Sequence, residues 1–375
     1  MGDQLSQLNM SKLKNRYLSL DVFRGLDVAL MIIVNSPGNG STSFSPLLHA
    51  DWNGFTLTDL VFPTFLFVVG NSMSFSMKKY ESMGQSAVFK KILKRTAIIF
   101  LLGFLMYWYP FFDDGLLKPF SETRVFGVLQ RIALCYMFAS IILHFVKTKT
   151  AIWLSAVFLV GYHLILIGFG DLTLTGNAVL KLDKWLIGAN HMYHGEGIAF
   201  DPEGLLSTLP AIVNVIIGYL AGRFIQNNGQ NFETVAKLMM FGFALVFAGL
   251  AWDLILPINK KLWTSSFVLL TCGIDLFAIA TLIYILDMKK AKSWSYFFEV
   301  FGKNTLFIYL LSELFIITLF AIDVNGESLY RWIADNIFIS WSGGYVGSLL
   351  FALWVMLTCW VVGYFMDKKG IYVKV

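Results

Sequence analysis

The sequence predicts an all-α protein, a polytopic transmembrane helix bundle of about ten spans with both termini cytoplasmic. Three observations predict it. Of the 375 residues, 57% are hydrophobic and only 14% charged, whereas soluble domains carry about 25% charged residues. Apolar runs near the roughly 20 residues that a membrane helix needs recur along the chain. The connections between them alternate between rich and poor in Lys and Arg, as cytoplasmic and outer loops do. The 35 Phe, 15 Tyr and 11 Trp present more apolar surface than a water-soluble core of this length absorbs, so the bilayer is the expected solvent.

Residues 1–17 read as a polar cytoplasmic tail without the apolar core of a cleavable signal, which leaves the first span to act as an uncleaved insertion signal. The spans expected in order are Leu18–Val34, Leu57–Met77, Thr96–Tyr109, Val125–Val146, Ala151–Phe169, Leu205–Ile225, Val235–Leu256, Leu262–Leu286, Trp294–Ala321 and Gly343–Met366. The first and third are short and polar at one end. Residues 18–366 thus form one membrane domain, followed by a cytoplasmic tail over 367–375. Two outer loops, 36–56 and 170–204, are long enough to hold function. A short interfacial helix is expected over Leu329–Ile339.

With the N-terminus inside, 20 of the 29 basic residues fall on the inner side and seven outside, while Arg131 and Lys303 lie within spans. The net charge of +5 is therefore a topology signal. Nucleic-acid binding, which needs an accessible basic patch with base-stacking aromatics, is not expected. Cys135, Cys272 and Cys359 sit inside apolar runs with no pairing pattern and no metal-ligand spacing. No internal repeat of the kind that many transporters carry is visible.

Polar residues that interrupt the apolar pattern mark candidate chemistry. Asp21 and Arg24 share a helix face at the inner end of the first span. Arg24 there either snorkels to headgroups, with Asp21 as its partner, or contacts a phosphate. Asn35 ends the first span, and His49-Ala50-Asp51-Trp52-Asn53-Gly54 follows in the outer loop. A lone loop histidine is usually solvated or packed, but here a Trp, two amides and two acids crowd the same stretch. Asp59 lies just inside the second span, where an acid is costly and either caps the helix or serves a site. Arg131 in the fourth span requires the bundle interior or a wet cavity. Its expected partners are Asp59, Asp275 or Glu313, or a bound anion. His191-Met192-Tyr193-His194-Gly195-Glu196 fits no standard zinc spacing, and no metal is expected. Asp201-Pro202-Glu203 reads as a helix start. Asn259 and Trp263 fall at the outer mouth of the same region, and Gly302-Lys303-Asn304 near the inner face.

Taken together, Ser19–Gly25, Val34-Asn35, His49–Gly54 with Leu57–Phe67, Gly127–Arg131, Asp183–Tyr193, Asp201–Ile212, Pro257–Trp263 and Gly302–Asn304 resemble, in order, the heparan-α-glucosaminide N-acetyltransferase family and its bacterial relatives. The resemblance implies a multi-pass transmembrane acyltransferase-like domain, here in a bacterial inner membrane. It would move an acetyl group from cytosolic acetyl-CoA, a co-substrate used without metal, to the amine of a periplasmic glucosamine-like sugar. The family's active-site histidine falls on His49 and its catalytic asparagine on Asn35. His49 would act as general base or as covalent nucleophile, and Asn35 would donate to the developing oxyanion. The acceptor sugar is expected at Asp51, Trp52, Asn53, Asp59, His191, Asp201, Glu203, Asn259 and Trp263. Asp51 or Asp59 would orient His49 or hold the sugar's ammonium, and Trp52 and Trp263 would stack on the ring. The CoA phosphates are expected at Arg24, Arg131, Lys303 and Asn304. The implied partners are the bilayer, an amino sugar and CoA, and a homodimer is compatible with them. Some bacterial relatives are described as N-acetylglucosamine-related transporters, so a permease for such a sugar is the competing reading. A carrier has no need of the His49 and Asn35 pair, which favours chemistry.

Overall fold

The computed structural model describes residues 17–113 and 116–373. Residues 1–16 of the expected N-terminal tail, with Lys12, Lys14 and Arg16, and residues 374–375 of the C-terminal one, with Lys374, lie outside the described residues.

Each expected span contains a helix. The first half holds α1 (Leu18–Asn35), α2 (Leu57–Ser76), α3 (Gln85–Trp108), α4 (Val128–Phe145) and α5 (Thr148–Phe169). A short α6 (Ala178–Ile187) forms within the second outer loop, where Asn177 caps it by accepting the Leu180 N–H at 2.7 Å. Then come α7 (Thr208–Asn228), α8 (Phe232–Asp253), α9 (Ser265–Leu282), α10 (Ser295–Lys303), α11 (Thr305–Ala321), α12 (Leu329–Ile333) and α13 (Gly344–Lys368). Two hairpins, β1 (Phe112–Asp113) with β2 (Leu116–Leu117) and β3 (Asp323–Val324) with β4 (Glu327–Ser328), are small exceptions to the all-α expectation.

Among the described residues, seven helices (α2, α4, α5, α7, α8, α9 and α13) are long and apolar enough to cross a membrane, and α10 with α11 makes an eighth if that bent pair counts as one span. The chain is thus a multi-pass helical membrane protein. α1 carries Asp21, Arg24 and Asp27, and α3 carries Lys90, Lys91, Lys94 and Arg95, so neither is apolar throughout. The single span expected over Trp294–Ala321 is instead two helices meeting at 85°. The break falls at Gly302-Lys303-Asn304-Thr305, a polar run too short to lower the average hydropathy of the whole stretch. Asn304 leaves helical geometry there (φ −129°, ψ 37°).

α2 lies at the centre, with 72% of its apolar stretch buried, whereas the corresponding stretches of α5 and α8 are 22% buried and face lipid. α1 and α10 touch backbone to backbone. A Cβ at Gly25 would stand 1.8 Å from the carbonyl oxygen of Phe298, and one at Gly302 would stand 2.0 Å from that of Asp21. Only residues without a side chain permit that approach. It brings the two ends of the chain together, and Arg24 Nη1 donates to the Gly302 carbonyl at 3.2 Å.

Candidate functional site

The first turn of α2 organises the outer cluster. Asp59 Oδ2 accepts the N–H groups of Thr56 at 3.0 Å and Ala50 at 3.1 Å, which closes the loop back onto the helix it caps. Its Oδ1 lies 2.7 Å from Nδ1 of His49. An ionised carboxylate only accepts, so Nδ1 carries the proton and Nε2 is the lone-pair nitrogen. Among the described residues Nε2 has no hydrogen-bond partner, and 43% of the His49 side chain is accessible. Partial burial and the nearby Lys260 ammonium lower the His49 pKa below its ordinary value, against the opposing pull of Asp59 and Glu203. The imidazole is therefore neutral at pH 7, the form that a base or nucleophile requires.

A charged network stands beside the dyad. Arg124 Nη2 and Nε bind Asp201 at 2.6 and 3.0 Å, and Nη2 also reaches Glu203 at 2.7 Å. The guanidinium lies between the rings of Tyr107 and Tyr193, at 4.9 and 4.8 Å. Lys260 stands 3.8 Å from Glu203. Burial alone would raise Glu203, but Lys260, Arg124 and Arg131 outweigh it and hold the carboxylate below its usual range. Burial raises Asp201 despite its Arg124 partner. The sequence counts Arg124 and Lys260 merely as outer charges. Their rarity on the sparse side of the membrane was the available signal.

Several expected acceptor residues prove to be the frame of this cluster. Trp52 donates to the Leu172 carbonyl at 2.8 Å, pinning one outer loop to the other. Asn53 Oδ1 accepts from Asn259 Nδ2 at 3.1 Å, and fully buried Asn259 also accepts the Leu262 N–H at 2.7 Å. His191 bonds the Thr123 carbonyl through Nδ1 at 2.8 Å, which tethers one segment to the other. Asp51 has an exposed side chain, while its carbonyl accepts from Lys261 at 2.9 Å. Trp263 has no accessible surface, so it offers no face to a sugar. It packs between Phe62, Phe267 and the Arg131 guanidinium, at 5.1, 5.3 and 4.8 Å. Arg131 is likewise fully buried and donates to Ser207 and to the Gly204 carbonyl. Among the described residues it bonds none of its three expected acids. Asp275 instead accepts from Thr64 at 2.6 Å.

Asn35, at the outer end of α1, donates through Nδ2 to Glu313 Oε1 at 3.1 Å. Asn35 also lines an outer cavity of about 310 Å³ with Gly38, Tyr330, Arg331 and Asp335, and His49 is not among its lining residues. Glu313 and Glu203 both lie within electrostatic reach of Tyr107 and Tyr309.

A second cluster occupies the other end of α2. Arg24, Arg95 and Lys303 line a cleft of about 330 Å³ together with Ser76, Ser72 and Tyr136. Arg24 pairs with Asp21 at 3.2 Å, Lys303 with Asp367 at 2.9 Å, and Arg95 lies 4.6 Å from the centre of the Tyr136 ring. The cleft climbs along α2 to Phe65, whose ring is 6.4 Å from that of Tyr309. Asn304 is not part of its lining. Its side chain donates to the Ile371 carbonyl at 3.0 Å and accepts the Val373 N–H at 2.9 Å, which seats Val373 against the cleft.

Fold and site together define a multi-pass membrane protein with a histidine–carboxylate dyad at one face and a basic cleft at the other. Residues 16–256 match the family model described as heparan-alpha-glucosaminide N-acetyltransferase, catalytic, and the chain belongs to that family. It is similar to heparan-alpha-glucosaminide N-acetyltransferase of mouse (Mus musculus), with 29% identity over 360 residues, covering 80% of this chain and 53% of that protein. The human protein (Homo sapiens) of the same name is 27% identical over 373 residues, covering 84% of this chain and 55% of its own. The chain spans about half the length of the curated relatives it matches. The family match includes Asn35, His49, Asp59, Arg124 and Glu203 and ends before Lys260, Lys303 and Glu313.

Proposed function

We propose that this chain is a transmembrane N-acetyltransferase of the bacterial inner membrane. It takes the acetyl group of acetyl-CoA at the cytosolic face and delivers it to the amine of a glucosamine-like sugar at the periplasmic face. One observation carries the reading: the dyad and the basic cleft occupy opposite ends of the same helix. Asp59 and Ser76 are about 26 Å apart along α2, close to the roughly 30 Å of a bilayer's hydrocarbon core. The cleft rises from Ser76 to Phe65, which leaves about 9 Å of helix to Asp59. With α1, α3 and the bent α10–α11 pair counted as crossings, ten spans keep both termini on the donor side, as the basic residues require.

In this reading Arg24, Arg95 and Lys303 hold the CoA phosphates, to which guanidinium and ammonium groups are complementary. The pantetheine arm follows the Ser72–Phe65 face of α2 and brings the thioester beneath the outer cluster. Asp59 fixes the His49 tautomer, and Nε2 is the reacting atom whether it takes a proton from the attacking amine or takes the acetyl group first. Asn35 has a second Nδ2 hydrogen for the oxyanion. What supports transfer over sugar permeation is the dyad together with the name that both relatives carry.

The test is turnover of acetyl-CoA with glucosamine by purified protein, for wild type and His49→Ala. N-acetylglucosamine formed by the wild type and lost in the variant is the expected result. Failure to bind acetyl-CoA at all, or sugar flux across vesicles without acetyl consumption, would sink the reading. Acid trapping of an acetylated protein before acceptor is added decides between the two routes through Nε2.

A further inference from the structure

The acids around the outer cluster differ in one respect. Asp59 has His49, Asp201 and Glu203 have Arg124, and Glu196 has Lys261 at 2.6 Å. Asp183 is sealed from solvent against the Leu205 N–H at 3.0 Å. Glu313 is different, because it is half-buried yet has no cationic partner among the described residues. Its one hydrogen bond there is the amide of Asn35 at 3.1 Å. It projects from the middle of α11 at membrane depth, within electrostatic reach of the phenols of Tyr107 and Tyr309. A carboxylate held at such depth without a counter-charge is costly and is a functional-site candidate by default.

We propose that Glu313 receives the ammonium of the acceptor and takes its first proton. The inference rests on the transferase reading above and adds to it a named base for the amine. An amine reaches neutral water as R–NH3⁺, which has no lone pair for attack. Transfer of one proton to the Glu313 carboxylate yields R–NH2 and a neutral carboxylic acid. Nitrogen then attacks the acetyl carbonyl carbon, the C–N bond forms, and the C–S bond of the thioester breaks. The second nitrogen proton leaves through His49 Nε2 to the CoA thiolate, and the third stays on the amide. Glu313 later releases its proton to the outer water, so atoms and charge balance. Two acids thus divide the labour. Asp59 keeps His49 in one tautomer, and Glu313 faces the substrate beside Asn35.

The test pairs Glu313→Gln with two acceptors, glucosamine and its N-hydroxylamino analogue, whose nitrogen is uncharged at pH 7 and keeps one N–H for His49 to remove. In the variant, turnover of glucosamine should fall by about 100-fold or more, while the neutral analogue should be acetylated at close to the wild-type rate. Equal turnover of glucosamine by variant and wild type overturns the proposal. So does an equal loss with both acceptors while acetyl-CoA still binds, since that is the mark of a purely structural role through Asn35. If Glu313→Gln fails to bind acetyl-CoA, Glu313→Asp is read instead. The withdrawn carboxylate should slow glucosamine more than the analogue, and an equal fall overturns the proposal. A wild type that acetylates neither acceptor fails at the transferase reading itself.

Discussion

Nδ1 of His49 stands 2.7 Å from Oδ1 of Asp59, and the other oxygen of that carboxylate caps α2 through the Thr56 and Ala50 N–H groups. One residue therefore starts a helix, closes a loop and sets a tautomer. Asp59→Asn places an amide among groups that all donate, so at least one contact is lost and the imidazole can present Nε2–H instead of a lone pair. Turnover is expected to fall about 100-fold to 10,000-fold, with acetyl-CoA binding unchanged. Asp59→Ala should in addition cost about 1–2 kcal/mol of stability through the lost cap. Steady-state kinetics and thermal unfolding in detergent check both. Full activity in Asp59→Asn would remove the dyad from the mechanism.

The acid limb of the pH–rate profile follows from the neighbours of His49. Burial and Lys260 lower its pKa, while Asp59 and Glu203 pull the other way. The working form is the neutral imidazole, so kcat/KM should rise with pH through a pKa below the ordinary value of about 6.5. Removing the cation with Lys260→Met makes protonation easier, and the acid limb should move to higher pH. A limb that stays still or moves downward would show that Lys260 does not act on His49.

How much of this was legible in the sequence varies from residue to residue. His49, Asn35 and Asp59 stood out because polar groups interrupt an apolar pattern, and the Thr56–Asp59 spacing already carried a helix start. Their pairing was not legible, since nothing in the chain says that Asn35 meets Glu313 on α11. Arg131, Asn259 and Trp263 were conspicuous for the same reason as His49, yet they are the buried frame beneath it. A polar residue in an apolar run signals that something compensates it, and a structural partner compensates as well as a ligand. The break at Asn304 was hidden because Gly302-Lys303-Asn304-Thr305 is too short a polar run to divide the apolar stretch around it. Asn304 there bonds the backbone of Ile371 and Val373, a contact far along the sequence.

The donor cleft predicts a separable effect. Arg95 lies over Tyr136, and its Nε has no partner among the described residues. A hydrogen bond from a charged group is worth about 1.5–3 kcal/mol, so Arg95→Gln should raise the KM for acetyl-CoA by roughly tenfold to 100-fold. The KM for the acceptor should stay constant, because the proposed acceptor site is at the other end of α2. A change in the acceptor KM instead would place the donor elsewhere.

Asp183 predicts a pH-dependent stability. Burial pushes its carboxyl up to about 7, with Asp201 adding to the rise and the Leu205 N–H opposing it. The unfolded chain releases that proton near pH 3.9. The folded state thus binds more protons between the two values, and the stability present below about pH 4 is lost as pH rises toward 7. Asp183→Asn keeps the acceptor for Leu205 and should flatten this part of the thermal-midpoint profile. An unchanged slope would assign it to other groups.

The contact between α1 and α10 sets the last expectation. Gly302→Ala would place a methyl group 2.0 Å from the Asp21 carbonyl oxygen and 3.0 Å from its carbon. Both are helix backbone, so neither yields as a flexible side chain would, and the helices must separate. Overpacking of this kind costs about 1–3 kcal/mol or more. The separation also stretches the bond from Arg24 to the Gly302 carbonyl, which helps to form the cleft wall. Gly302→Ala should therefore lower the thermal midpoint and raise the KM for acetyl-CoA together. Gly40→Ala is the control, because nothing lies within 4 Å of a Cβ built there, and it should change neither. A destabilised Gly302→Ala with an unaltered donor KM would separate the helix contact from the cleft.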